Sequence, residues 1–210
     1  MKYLLFFTAL IATATAADLV CDCVSPTTGP ACKDNTCSIA KGQCYSMAMQ
    51  YVVVGNNNRF DGTSKGCQED KDPNVCNEKD ALILTEDVFY ILGNAECCNS
   101  TASCNKALAP KVPDFAKVNK TLSKENLVCP SCYVLGQKTC ETVDMKCREG
   151  QNKCFSVTGT LAQGGGKAVP FVAKGCASPS VLLKTGPLVF GPDAFNIESV
   201  DTSGRHRPDF

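Results

Sequence analysis

Alternating apolar residues between positions 45 and 54 give the clearest structural pattern in the chain. Tyr45, Met47, Met49, Tyr51 and Val53 recur at every second position, which places them on one face of a β-strand. The segment that follows, GNNNRFDGT, is rich in glycine and asparagine and is typical of a turn. The pattern therefore predicts a β-hairpin whose first strand is buried along one face.

A second pattern of this kind lies in the C-terminal half. Phe155, Val157 and Leu161 share one face of the stretch FSVTGTLA. The sequence QGGGK then predicts a turn, and AVPFVAK predicts a returning strand, in which Pro170 indicates an edge position or a bulge. In the first half, residues 82–97 (LILTEDVFYILGNAEC) predict a further hairpin limb. The predicted fold class is all-β, with a thin core built from short hairpins.

The patterned regions belong to an internal repeat. LVCDC (19–23) recurs as LVCPSC (127–132), KGQCYSM recurs as QNKCFSV, and SKGC recurs as AKGC. The corresponding cysteines are Cys21 and Cys129, Cys23 and Cys132, Cys32 and Cys140, Cys37 and Cys147, Cys44 and Cys154, Cys67 and Cys176. The first, fifth and sixth of these pairs are offset by 108, 110 and 109 residues. Two tandem copies of one module explain these offsets.

The two copies differ in their number of cysteines. The first copy, residues 17–105, has ten cysteines, and the second copy, residues 127–210, has six. Between them lies KALAPKVPDFAKVNKTLSKEN (106–126), which contains two prolines and five lysines. Proline removes a backbone donor and fixes φ, so this segment is predicted to be a semi-extended linker rather than part of the core.

The N-terminal residues predict export from the cell. Lys2 precedes the apolar stretch YLLFFTALIA, and ATA (14–16) supplies small residues for cleavage, so we expect residues 1–16 to be a signal peptide. Sixteen cysteines in an exported chain of 210 residues predict a scaffold of eight disulfides. The rest of the chain has no apolar stretch of about 18 residues. The C-terminal SGRHRPDF lacks the apolar character of a GPI signal. We therefore expect a soluble, extracellular protein.

Charge divides unevenly between the halves, although the formal net charge is zero. Residues 17–105 hold 12 acidic and 6 basic side chains, and residues 106–210 hold 9 acidic and 14 basic side chains. Such asymmetry can steer an interaction or self-association, although two differently solvated surfaces explain it more simply. The basic half has no dense Lys/Arg run with interleaved aromatics, so we expect no binding to nucleic acid.

Four motifs contain residue types that serve in redox, metal-binding, catalytic or phosphate-binding sites of other proteins. CPSC (129–132) opens a predicted strand rather than a helix, and the repeat lacks that spacing in the first copy, which favours structural disulfides over a redox motif or a zinc site. His206 is the one histidine and lies in the polar tail, where it has no buried partner to orient it as a general base. QEDKD (68–72) lacks the ligand spacing of a calcium loop, and GGG (164–166) lacks the residues of a phosphate loop. We predict no catalytic residue, metal or cofactor.

The cysteine order of the first copy resembles that of the three-finger domain found in the urokinase receptor, Ly-6 antigens and snake toxins. The ending CCNSTASCN (97–105) carries the most specific part of this resemblance, and the CDC spacing at Cys21 is one residue shorter than usual. The implied disulfides in the first copy are Cys21–Cys44, Cys23–Cys32, Cys37–Cys67, Cys76–Cys97 and Cys98–Cys104. The resemblance further implies that the side-chain amide of Asn105 pins the end of the domain against its first strand.

The second copy resembles the same domain with its third finger shortened. The implied disulfides are Cys129–Cys154, Cys132–Cys140 and Cys147–Cys176. Neither a third-finger bridge nor a terminal bridge has cysteines to form it, so residues 177–210 are predicted to be a loosely held third finger and tail, and the most mobile part of the mature protein apart from the linker.

Two three-finger domains with ten and then six cysteines look most like sodefrin precursor-like factors, which are secreted courtship pheromones. Gamma-type phospholipase A2 inhibitors share the two-domain plan. The resemblance therefore implies a pheromone that binds a chemosensory receptor through its finger surfaces, and the alternative is an inhibitor that binds a secreted phospholipase. A binding module for an unknown partner is a third hypothesis. In sodefrin a short peptide is released from the region equivalent to SPSVLLKTG (178–186), but no dibasic site flanks this stretch, which favours the intact protein as the signal.

Two sequons predict N-linked glycans in an exported chain. Asn119 lies in the linker and is the better candidate. Asn99 lies inside the expected Cys98–Cys104 loop, where access by the transferase is predicted to be poorer.

Overall fold

The computed structural model describes residues 18–25, 30–54, 58–70, 75–76, 81–85, 88–118, 127–179, 185–190 and 192–204. The expected signal peptide, Asn119 and His206 therefore lie outside the described residues. In the described part of the chain, no helix is long and apolar enough to cross a membrane.

Strands dominate both copies. Those of the first copy are β1 (Leu19–Asp22), β2 (Thr36–Ile39), β3 (Gly42–Val53), β4 (Asn58–Glu69), β5 (Ala81–Thr85) and β6 (Phe89–Cys98). Those of the second copy are β7 (Val128–Leu135), β8 (Val143–Lys146), β9 (Lys153–Ala162), β10 (Val169–Ala177), β11 (Gly186–Phe190) and β12 (Asp193–Gly204). A 3₁₀ turn (Cys104–Lys106) and the short helix α1 (Phe115–Val118) lie between the copies. The predicted all-β, disulfide-rich fold is confirmed.

One antiparallel sheet runs through both copies. Its strand order is β11-β12-β9-β10-β5-β6-β3-β4, with β7 paired to β10 and β8 paired to β7. Strands β1 and β2 form a separate two-stranded sheet. The copies join where β10 pairs with β5, with Cys176 opposite Leu84 and Ala177 opposite Ile83.

The predicted hairpin of the first copy is present over its full length. β3 pairs with β4 from Gly42–Glu69 to Val53–Asn58, and Tyr45, Met49 and Tyr51 are buried. These three side chains share one buried face because successive side chains of a strand point to opposite faces. The predicted limb at residues 82–97 is also present, as the hairpin of β5 and β6.

Pro170 is accommodated near the start of β10. It lies opposite Thr160 of β9, and the pairing of β10 with β7 begins one residue later, at Phe171. The missing proline donor therefore falls outside the β7 ladder, while the Pro170 carbonyl accepts a hydrogen bond from Gly136 N at 2.7 Å.

The largest buried cluster draws side chains from both copies, so the core is thicker than predicted from separate hairpins. Its buried residues are Met49, Tyr51, Ile83, Phe89, Phe155, Val157, Leu161, Phe171, Ala173, Ala177, Leu188, Phe190, Phe195 and Ile197. The first four come from the first copy and the rest from the second. The tandem copies are thus packed around a shared core, because neither set of hairpins buries its apolar face alone.

The ends of the sheet approach each other across this core. A Cβ atom added to Gly62 of β4 would lie 2.7 Å from the carbonyl oxygen of Val189 in β11 and 3.0 Å from Phe190 Cδ1. Only glycine allows this approach, because a side chain at position 62 would occupy the space of the β11 backbone. The sheet therefore curls until its terminal strands touch.

The prediction of a loosely held third finger in the second copy is wrong for residues 186–204. β11 and β12 form a hairpin, and β12 pairs along the whole of β9, from Ala194–Ala162 to Gly204–Lys153. Phe190 and Phe195 are buried in the shared core. This finger lacks cysteines, but alternating apolar residues anchor it through burial instead.

The prediction that residues 106–126 stay outside the core is wrong for their described part. Val112 and Phe115 pack against buried Leu82, Leu84 and Leu92 on the back of the sheet. The Phe115 ring stacks on Tyr90 with centroids 4.2 Å apart. Two apolar side chains in an otherwise polar stretch are enough to hold this segment on the sheet.

Candidate binding surface

All sixteen cysteines are joined in eight disulfides. The pairs are Cys21–Cys44, Cys23–Cys32, Cys37–Cys67, Cys76–Cys97, Cys98–Cys104, Cys129–Cys154, Cys132–Cys140 and Cys147–Cys176. These are the pairs that the three-finger resemblance implies. The adjacent Cys97 and Cys98 thus have separate partners, and the two cysteines of CPSC belong to different bridges.

Sulfur atoms cluster at the base of each copy. Those of Cys21, Cys37 and Cys67 lie within 4.8 Å of one another, as do those of Cys129, Cys147 and Cys176. Since each sulfur is bound in a disulfide, none is a thiolate that could ligate a metal ion. The two clusters instead secure the base from which the fingers extend.

Asn105 closes the base of the first copy. Its side chain is fully buried; Oδ1 accepts a hydrogen bond from Asp22 N at 3.0 Å, and Nδ2 donates to Asp22 O at 2.8 Å and to Tyr45 O at 2.9 Å. The amide therefore bridges β1 and β3. Lys65, which the sequence analysis did not single out, donates from Nζ to the carbonyls of Asn105 and Lys106 at 2.9 and 3.1 Å.

A buried carboxylate links the third finger of the second copy to the first copy. Asp193 is 1% exposed; it accepts hydrogen bonds from the Tyr51 hydroxyl and from Gly164 N, the latter at 2.8 Å. The Tyr51 ring also meets Phe190 and Phe195 edge-on, each at 5.0 Å between centroids. Sequence reasoning missed Asp193 because nothing local in the sequence indicates that Tyr51 lies beside it.

The two tyrosines near Asp193 have raised pKa values. Burial is the main cause for Tyr51, and its hydrogen bond to Asp193 and the charge of that residue raise the pKa further. Burial, and then the charge of Asp193, raise the pKa of Tyr133 to about 12. Both hydroxyls are therefore protonated near neutral pH, and with the buried Asp193 they form a structural polar cluster inside the sheet.

An apolar cavity of about 20 Å³ lies beneath this cluster, between side chains such as Ile83, Phe89, Phe171 and Phe195. This volume is close to the minimum that a single water molecule needs. The cavity is therefore too small to serve as a ligand pocket.

The outward side of β9, β10 and β12 forms the open face, which consists of Ser156, Thr158, Thr160, Pro170, Asn196 and Ser199. Register places Asn196, Thr160 and Pro170 in one row across the three strands, with Ser199 and Thr158 in the next row. Each of the six side chains is half-buried or exposed and uncharged, whereas the row of Ser156, at the end of these rows, also holds Lys174 of β10 and Asp201 of β12. Interfaces differ from other surface mainly in the depletion of charge at their centre, so this face is the candidate binding surface.

The equivalent face of the first copy is covered by residues 106–118. Ser46 corresponds to Ser156 through the offset of 110, and it is 3% exposed. Ser46 Oγ donates a hydrogen bond to the Leu108 carbonyl oxygen at 3.4 Å. Asn94 donates from Nδ2 to the Lys111 carbonyl at 3.2 Å. The two copies therefore present the same face, covered in the first and exposed in the second.

Asn99 and the two motifs rejected as calcium or phosphate loops lie in loops, in turns or at a strand end. Asn99 is exposed in the loop closed by Cys98 and Cys104. Gly164, Gly165 and Gly166 form the exposed turn between β9 and β10. Gln68 and Glu69 end β4, and Asp70 follows in a turn.

Comparisons with known proteins agree with the disulfide framework. A family model described as the u-PAR/Ly-6 domain matches residues 125–191. The chain is also similar to the crystal structure of mouse TEX101, with 16% identity over 86% of this chain and 88% of that chain, and a TM-score of 0.33. u-PAR/Ly-6 domains are generally non-enzymatic, protein-binding domains, and their presence with eight disulfides indicates an extracellular or cell-surface location. The u-PAR/Ly-6 domain model thus matches most of the second copy, and the eight-disulfide, all-β fold is consistent with this match.

Proposed function

We propose that the chain is a secreted pheromone of the sodefrin precursor-like type, which acts by binding a chemosensory receptor through its finger surfaces. The proposal includes removal of residues 1–16 as a signal peptide and a tandem arrangement of copies at 17–105 and 127–210. The observation that carries it is the open face: a partly exposed sheet surface with uncharged side chains at Thr158, Thr160 and Ser199, on a scaffold whose buried polar groups serve the fold. The resemblance in cysteine order supplies the pheromone class.

The intact protein is the proposed signal. Ser178, at the start of the stretch 178–186, is buried and tied to β5: its backbone N donates to the Leu82 carbonyl at 2.9 Å, and its Oγ accepts from Leu82 N at 3.1 Å. At the other end of the stretch, Gly186 begins β11. Cleavage at both ends would therefore cut into paired segments of the sheet, which argues against release of a peptide.

The test measures binding and response in one tissue. Purified secreted protein, labelled at its N-terminus, is added to chemosensory epithelium from the animal that produces it, and calcium responses are recorded. We expect saturable binding and responses to the native protein, but none to reduced and alkylated protein, because the finger surfaces depend on the disulfides. Absence of binding, together with stoichiometric loss of turnover by a secreted phospholipase A2, would reassign the chain to the inhibitor class.

A further inference from the structure

The covered face of the first copy shows what the repeated module can bind. Residues 106–118 cross that face, and two carbonyls of this segment, those of Leu108 and Lys111, face side-chain donors of the sheet. The segment contains Pro110 and Pro113, and residues 108–114 form neither helix nor strand before α1 begins at Phe115. A proline-containing polypeptide without regular secondary structure is therefore the occupant of this face in the first copy.

Both donors have counterparts on the open face. Ser46 corresponds to Ser156 by the repeat offset. Asn94 lies opposite Ala48 in the first copy, and Ser199 lies opposite Thr158, the counterpart of Ala48, in the second. The hydroxyl of Ser199, like the amide of Asn94, can donate to a peptide carbonyl. The second copy thus retains a donor at each position that holds the segment in the first.

The open face differs from the covered face in a way that suits an occupant from another molecule. Leu92 is buried against Val112 and Phe115, and the buried Gln50 lies opposite it. In the second copy the corresponding pair is Asn196 and Thr160. The replacements are polar enough to stay in water when the face is unoccupied, yet small and uncharged. A backbone can therefore approach them closely without leaving a charge unpaired.

We infer that the open face is a docking site for a proline-containing segment of a protein partner, which lies across β9 and β12 as residues 106–118 lie across β3 and β6. Ser156, Thr158, Thr160 and Ser199 donate hydrogen bonds to carbonyls of that segment. This inference rests on the proposed function, because the partner is taken to be the receptor on the chemosensory epithelium.

The test compares variants for binding to membranes prepared from that epithelium. Thr160→Lys places a charge in the centre of the face and is expected to weaken binding about tenfold or more. Ser199→Ala removes one donor and is expected to weaken it about threefold. Thr63→Lys makes the same change at an exposed strand position of the first copy and is expected to leave the affinity unchanged. Because the two charged side chains beside Ser156, those of Lys174 and Asp201, are of opposite sign, added salt should alter the wild-type affinity by no more than about twofold.

Three outcomes of this experiment test the docking site and the receptor proposal separately. Loss of binding in Thr160→Lys, with Thr63→Lys intact and both variants unfolding at the wild-type temperature, supports the docking site. Equal binding by wild type and Thr160→Lys overturns the docking site and leaves the receptor proposal standing. No binding by wild type overturns the receptor proposal together with the site. A photoreactive residue at position 160 should crosslink to a proline-containing segment of a protein partner, and crosslinking to a second copy of this chain would overturn the stated occupant.

Discussion

Tyr51 is the side chain through which the two copies meet most closely. Its ring stacks on Phe60 of the first copy with centroids 4.9 Å apart and meets two phenylalanines of the second copy edge-on. Its hydroxyl donates to the buried Asp193. Aromatic contacts of this geometry add to the free energy of area burial, and the hydroxyl pairs a carboxylate that would be costly to bury alone.

Removing that hydroxyl should destabilise the protein. Tyr51→Phe keeps the ring contacts but leaves one oxygen of Asp193 without its donor, so we expect a loss of about 1–3 kcal/mol in the free energy of unfolding. Urea unfolding with intact disulfides measures this loss. Tyr90→Phe is the matched control, because Tyr90 makes its contact with Phe115 through the ring and should change stability little. Equal stabilities for the two variants would contradict the role given to Asp193.

The same cluster predicts a loss of stability at alkaline pH. The pKa of Tyr133 is raised from 10.0 to about 12 in the folded protein, so the folded state holds this proton more tightly than the unfolded state does. The resulting stabilisation is complete below pH 10 and is lost as the pH rises to about 12. Tyrosinate absorbance after brief pH jumps, compared between the wild type and Tyr133→Phe, should show that the variant lacks a component that ionises well above pH 10. A Tyr133 component that ionises near pH 10 would count against burial of its hydroxyl beside Asp193.

Asn99 should carry a glycan despite the small disulfide loop around it. Asn99, Ser100 and Thr101 are all exposed in the folded chain, so the fold leaves room for an attached sugar. We expect protein secreted by vertebrate cells to lose mass on treatment with an N-glycosidase, and Asn99→Gln to remove one glycan. Peptide mapping that finds Asn99 unmodified in all molecules would restore the prediction of poor access.

At the scale of the secondary-structure elements, the joint between β5 and β10 has no room for a side chain at Gly175. A Cβ atom on Gly175 of β10 would lie 2.3 Å from the Leu84 carbonyl oxygen, and Cys176 pairs with Leu84 at the next position. The absence of a side chain at Gly175 therefore lets the two copies share a sheet. The glycine is present in both copies, as Gly66 and Gly175, but sequence alone does not show that its neighbour differs.

Gly175→Ala should therefore weaken the joint. The methyl group would push β10 from β5, and we expect a loss of about 1–3 kcal/mol in stability, as for other overpacked sites. Gly93→Ala, also in a strand, is the control, since its nearest neighbours would lie 3.8 Å from the new carbon. Thermal unfolding of both variants measures the difference. A Gly175→Ala variant as stable as Gly93→Ala would show that the copies are not held in register here.

The third finger of the second copy should exchange slowly rather than quickly. Phe195 and Ile197 are buried, and β12 is paired on both sides, with β9 and β11, so their amides are protected from water. Hydrogen exchange followed by mass spectrometry should give residues 193–200 a protection close to that of β3. Exchange as fast as that of the exposed turn at residues 163–168 would reinstate the loosely held finger.

At the scale of the whole molecule, the sequence predicts local elements better than their assembly. The period-two pattern at Tyr45–Val53 predicts a strand because the alternation is a property of the strand itself. The alternation of Phe195 and Ile197 carries the same kind of signal, whereas the missing cysteines of the second copy predict a loosely held finger. Contacts such as Tyr51–Asp193 join residues 142 positions apart, and no local pattern encodes them. The open face was likewise not predictable from the sequence, because the exposure of a sheet face depends on which segments of the folded chain cover it.

The contact of the cysteine-free hairpin with the first copy bears on how a duplicated gene diverges. A solitary three-finger module that lost the cysteines equivalent to Cys76–Cys97 and Cys98–Cys104 would lose the covalent hold on its last finger. When a second module lies beside it, the same loss is tolerated, because Tyr51 and its neighbours pack against Phe190 and Phe195. From that point the duplicates are no longer interchangeable. Recombination that replaced one copy would separate Asp193 from Tyr51, so we expect such an exchange to lower the stability of the folded pair.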